Sequence, residues 1–163
     1  MGTKPPPPPG IAQNLLADRQ SLPGLLPQEI VIFKAWWADH FSEYDTADFN
    51  VRVGTGFDPG SAFDQVVRDG WIANTQRRID ALLLSGNTRT IVEVKYRASP
   101  LAIGQLLCYE QLYIAKFPHV VGTKLLLLCF QIDDDTVYCA GKLGVTLNVV
   151  QADFTGIKVT KQQ

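Results

Sequence analysis

The run KLLLLCF, from Lys124 to Phe130, constrains the fold more than any other stretch of this chain. It lacks the two-residue alternation of a strand with one wet face, so it reads as a strand buried on both faces. Such a strand belongs inside a sheet covered by helices on both sides. The chain has 163 residues, and one sheet with its helices accounts for a domain of roughly 150 residues. The apolar content, 46%, is that of a globular protein rather than a disordered one. No apolar run approaches the ~20 residues of a membrane helix, so no membrane association is expected.

The remaining segments are read by period and punctuation. Residues 1–26 form a proline-rich N-terminal arm, and residues 27–163 the domain. Pro5–Pro9 favours polyproline II, and a short helix is expected over Ile11–Ala17. The arm is either a solvated tail or a docking strap for a protein partner or a second copy. Its start, MGTKPPPPPG, has no apolar core and is not read as a secretory signal. Ile30, Phe33, Trp37 and Phe41 recur at helical spacing over Pro27–Ser42. Asp48–Gly56 is expected as a strand with Phe49, Val51 and Val53 on one face, and Phe57–Gly70 as a loop. Gln76–Leu84 and Thr88–Arg97 read as strands of a hairpin. Ser99-Pro100 should cap a helix running to Phe117, its Gly104 allowing close approach to the sheet. One or two strands are expected in Thr136–Val150, with Asp133-Asp134-Asp135 as a turn. The fold class is therefore α/β (α+β), a mixed central sheet flanked by helices in the order αβββαβ.

The chemistry lies in the hairpin. With Gly86 and Asn87 as its central turn residues, Ser85 faces Thr88, Leu82 faces Ile91 and Asp80 faces Glu93. Opposed side chains sit ~5 Å apart, and like charges there repel. Alternation sets Arg78 and Lys95 on the face of the two acids, and turns Ile79, Val92 and Val94 the other way. Two carboxylates in a half-buried sheet need a cation. Mg²⁺ takes one or two carboxylates plus waters, and can activate water and stabilise phosphoryl charge. Lys95 could orient or deprotonate that water, or neutralise developing charge. Alternatively, Asp80 and Glu93 simply pair with Arg78 and Lys95 on a solvated face.

RRIDALLL, TIVEVKYR and IGQLLCYEQLY follow one another in this order. Asp80, then Glu93-Val94-Lys95, then Gln105 and Tyr109 on a helix, resemble the PD-(D/E)xK nuclease superfamily, in particular its RecB-like branch with a QxxxY helix. The resemblance covers roughly 27–130 and departs from the motif where Ile79 replaces the proline. It implies a restriction-endonuclease-like core and metal-dependent hydrolysis of DNA phosphodiester bonds. On that basis Asp80, Glu93 and the Val94 carbonyl bind Mg²⁺ or Mn²⁺, Lys95 is the catalytic lysine, and Glu29 matches an additional helix glutamate. Equally, a glutamate in a first helical turn is favoured by the helix dipole. The resemblance also sets Gln105 near the reacting groups and Tyr109 near DNA. A core role for Tyr109 and a surface role for Gln105 are the alternatives.

Arg68, Arg77, Arg78, Arg89, Lys95 and Arg97 outnumber Asp69, Asp80 and Glu93 around the hairpin. This local excess suits a phosphate backbone, with Arg77, Arg78 and Arg97 as DNA-binding candidates, although basic side chains also protect sheet edges. The net charge of the chain is −1, which disfavours coating nucleic acid by charge alone. Two histidines and three cysteines without CxxC spacing argue against a zinc cage or a disulfide framework. The cysteines read as buried small hydrophobes, and Trp36 and Trp37 as core. Three readings result: a DNA nuclease; a non-catalytic structural protein of a large DNA-handling assembly such as a virus particle; or a DNA-binding module with a dead site. The expected location is the cytoplasm or a virus particle.

Overall fold

The structure, a computed structural model, describes Leu16 and residues 19–159. Pro5–Pro9 and, apart from the buried helical residue Leu16, the expected helix over Ile11–Ala17 lie outside the described residues. Helix α1 is Pro27–His40, followed by a 3₁₀ turn at Phe41–Glu43 and strand β1, Thr46–Val53. Next come α2 (Gln65–Thr75), β2 (Arg77–Ser85), β3 (Thr88–Arg97) and α3 (Pro100–Lys116). Strand β4 (Gly122–Gln131), α4 (Asp134–Lys142) and β5 (Val145–Val149) complete the order.

The five strands form one mixed sheet in the order β1-β2-β3-β4-β5. The first three run antiparallel, whereas β3–β4 and β4–β5 are parallel pairs. Each parallel step needs a crossover, and α3 and α4 supply them. Strand β4 is buried on both faces as its composition requires. Leu125, Leu127 and Cys129 join the core beneath α3, and Leu126 and Leu128 the core beneath α1. In α1, Phe33, Trp36 and Trp37 are buried, and Phe33 stacks on Trp37 with centroids 5.7 Å apart. Burying each such side chain contributes roughly 1.5–3 kcal/mol. Leu22 and Leu25 pack into the same core. Among the described residues no helix is long and apolar enough to cross a membrane.

Two expected segments are corrected by capping chemistry. The loop expected over Phe57–Gly70 gives way to α2 at Gln65, because the Asp64 carboxylate accepts the Val67 N–H at 2.9 Å. Of the one or two strands expected in Thr136–Val150 there is one, β5, because α4 occupies the first half of the segment. Asp133 caps α4 by accepting from Thr136 N and Oγ1, at 2.8 and 3.0 Å, so the aspartate triplet starts a helix instead of making a hairpin turn. The core thus gains α2 and α4 over the expected αβββαβ order. Ser99 precedes α3 as expected but makes no side-chain capping bond. Gly104 is exposed with nothing within 4 Å of an added Cβ, so it permits no close approach to the sheet. Cys108 and Cys139 are exposed, against expectation, and only Cys129 is buried among the three.

The β1–β2 pair carries an irregularity that matters for the site. Phe49 pairs with Ala81 and Val51 with Ile79, but the intervening Asn50 and Asp80 are not paired. Asn50 has φ 58°, the left-handed region. Strict alternation fails at this step on both strands. Phe49 packs beneath α1 with Phe33, while Val51 and Val53 enter the core beneath α3, so the three do not share a face. Ile79 likewise sits beneath α3 with Leu82, on the opposite side from Val92 and Val94.

Candidate functional site

The β2–β3 hairpin has the expected register, Ser85 with Thr88 and Leu82 with Ile91, and its ladder ends at Ala81 with Val92. Asp80 and Glu93 are therefore not ladder partners, because the strands separate just before reaching them. In the opened gap the Asp80 carboxylate accepts the Val94 N–H at 2.9 Å, filling the place of a missing backbone acceptor. The two acids still meet, through a common cation. Lys95 Nζ lies 2.6 Å from Glu93 Oε1, 3.7 Å from Asp80 Oδ2 and 3.8 Å from Glu29 Oε1.

Three elements deliver this cluster. Strand β3 supplies Glu93 and Lys95 two residues apart, β2 supplies Asp80, and the first turn of α1 supplies Glu29. Glu29 is buried, and its Oε2 accepts the Leu26 N–H at 2.8 Å, satisfying one of the free donors at the helix start. The same side chain thus closes the helix start and reaches Lys95 with its other oxygen. Asp80, Glu29, Lys95, Arg97 and Gln105 line a cleft of about 1110 Å³ at this end of the sheet. The Glu93 side chain lies behind them, only 2% exposed.

Burial dominates the electrostatics. It pushes the Glu93 carboxyl up to about 8, with the neighbouring Asp80 charge adding to the rise and Lys95 opposing it. Burial also raises Asp80, against the lowering effects of Lys95 and the Val94 N–H. For Lys95, burial favours the neutral amine, but Glu93, Asp80 and Glu29 together outweigh it and raise its pKa. The lysine is therefore an ammonium at neutral pH. Glu93 Oε2 is buried and has no hydrogen-bond partner among the described residues. A buried carboxylate oxygen without a donor is costly unless a cation or proton meets it.

Among the described residues no three His, Cys, Asp or Glu side chains form a ready metal-holding group. The donor set nonetheless fits a hard cation: two carboxylates side by side, one with an open buried oxygen, suit Mg²⁺ or Mn²⁺.

The remaining candidates divide. The Gln105 amide donates to the Tyr109 hydroxyl at 3.2 Å, one helical turn away at the cleft wall. Tyr109 itself is buried in the core beneath α3, and burial followed by the Glu93 charge raises its phenol pKa. Arg97 is exposed on the cleft. Arg77 is exposed at the start of β2, outside the cleft lining. Arg78 does not share the face of the acids. The lost alternation at Asp80 turns it toward Asn50 Oδ1 and Ala73 O, at 3.3 and 3.5 Å. Sequence reasoning missed Asn50, whose only signal was asparagine's tolerance of left-handed backbone. Compared with protein-family models, curated proteins and solved structures, the chain matches none of them.

Proposed function

We propose that this chain is a metal-dependent DNA phosphodiesterase of the PD-(D/E)xK type. The observation that carries the reading is the buried, donor-free Glu93 Oε2 beside Asp80, with the Lys95 ammonium against the other Glu93 oxygen. Asp80, Glu93 and the Val94 carbonyl, with Glu29 beside them, would hold Mg²⁺ or Mn²⁺. Such an ion supplies an acidified water and positive charge for a phosphoryl oxygen.

The chain's own groups do the rest. Lys95, held protonated by three carboxylates, offers charge to the developing phosphorane instead of taking a proton. Val94 N–H fixes the Asp80 rotamer, and Tyr109 holds the Gln105 amide at the cleft wall. Arg97 supplies a cation to the DNA backbone there, and Arg77 a second one beyond the cleft.

The test is cleavage of plasmid and linear DNA with Mg²⁺, comparing the unaltered chain with Asp80→Ala and Lys95→Ala. Metal-dependent cleavage that falls at least a hundredfold in both variants is expected. Pure protein that cleaves neither substrate, or variants that cleave equally well, would overturn the reading. A second reading, a non-catalytic component of a DNA-handling assembly, is favoured by one observation: Lys95 already gives all three acids a cation from within the chain. It expects no cleavage, no Mg²⁺ binding, and association with partners or further copies.

A further inference from the structure

We infer that Asn50 is a positioning residue for Asp80: its left-handed backbone opens the sheet at the one step where Asp80 must leave it. The pairs flanking Asn50 keep a constant register, Phe49 with Ala81 and Val51 with Ile79. The break is therefore local and inserts no residue into either strand. On its other side, β2 loses β3 at the same place, the ladder ending at Ala81 with Val92. Asp80 is thus unpaired toward both neighbouring strands, although it sits within a nine-residue strand. Freed from the ladder, its carboxylate turns onto Val94 N–H and toward Lys95.

The Asn50 side chain is itself held. Its Oδ1 accepts from Arg78, two residues before Asp80. Gly24, a residue of the cleft wall, approaches it so closely that an added Cβ would meet Asn50 Oδ1 at 3.0 Å. Arg78 also reaches the Ala73 carbonyl of α2. The arginine expected to contact phosphate instead bridges the end of α2 to the kink. Asparagine is among the few residues that adopt left-handed backbone readily and can also accept a bond from a guanidinium. A β-branched residue there would favour extended backbone, restore the alternation and draw Asp80 back into the ladder.

The catalytic meaning of this role rests on the metal-site reading above, but the positional claim can be measured without it. The experiment uses the ¹⁵N-labelled full chain and its Asn50→Gly, Asn50→Ala and Asn50→Val variants. Amide hydrogen exchange is read at Val94, whose N–H depends on Asp80, and at Leu127, a core amide reporting global stability. Mn²⁺ binding is titrated in parallel.

Asn50→Val should lose at least tenfold of its Val94 protection relative to Leu127 and at least tenfold of its Mn²⁺ affinity. Asn50→Gly, which keeps the backbone conformation, should stay within about threefold on both. Equal Val94 protection in all folded variants, or losses that only track Leu127, would overturn the inference. Should Asn50→Val fail to fold, Asn50→Ala against Asn50→Gly decides by the same ratio. If the unaltered chain binds no Mn²⁺, the metal-site reading fails, and the Val94 exchange ratios still decide the role of Asn50.

Discussion

Glu93 and Lys95, two residues apart on β3, form a contact of 2.6 Å in which the carboxylate is almost wholly buried and the ammonium reaches the cleft. This pair, not a direct Asp80–Glu93 ladder contact, organises the site. Glu93 anchors the lysine, and the lysine in turn lies 3.7 Å from Asp80 and 3.8 Å from Glu29.

Removing the ammonium should therefore unbalance the fold. Lys95→Ala leaves two largely buried carboxylates and one nearly so, and breaking a buried pair costs roughly 3–5 kcal/mol. Chemical denaturation should show a loss on that scale, partly restored by millimolar Mg²⁺. Unchanged stability would mean that the cluster is no stronger than a surface ion pair.

The pH dependence of stability without metal has a definite sign. The folded-state pKa of Glu93 is raised to about 8, so the native chain holds a proton there that the unfolded chain has released above about 4.5. Its favourable contribution is complete below the unfolded value and is lost as pH rises toward 8. Asp80 is raised as well and acts in the same direction. Lys95 stays charged throughout this window. The melting temperature should thus fall between about pH 5 and about pH 8 by contributions that Glu93→Gln reduces. Parallel curves for the two proteins would contradict this.

Glu29 separates structure from charge. Glu29→Gln keeps an acceptor for the Leu26 N–H and should keep its melting temperature while weakening Mg²⁺ binding severalfold. Glu29→Ala should lose both, with a stability cost of about 1 kcal/mol from the missing helix-start bond. Calorimetric titration together with thermal denaturation distinguishes the two variants.

Two glycines should respond in opposite directions to alanine. At Gly56, φ is 70° and an added Cβ would stand 2.3 Å from the Ile72 carbonyl oxygen, so Gly56→Ala should destabilise by more than about 1 kcal/mol. At Gly104, on the exposed face of α3, the Cβ meets nothing within 4 Å, and Gly104→Ala should stabilise by roughly 0.5–1 kcal/mol. Urea denaturation of both measures the contrast.

Local chemistry determined much of this protein directly from its sequence. An unbroken apolar run has no wet face to offer, which made β4 a central strand. The proline at its start bounded α3, and Gly86-Asn87 set a hairpin register that held through Ala81 with Val92. Asp80, Glu93 and Lys95 could be named because a two-residue period brings such positions close.

What only the tertiary structure decided lies where that period is broken. A left-handed residue at Asn50 reverses the alternation of β1 and coincides with its reversal on β2, moving Ile79 and Arg78 to unexpected sides. The Asp133 carboxylate turns an apparent strand into α4 through a bond to a backbone N–H three residues on. Glu29 enters the site from a helix that is distant in sequence, because the packing of α1 on the sheet brings it to Lys95. A single backbone dihedral or a long-range contact leaves almost no trace in residue spacing, so these features emerge only when the chain is folded.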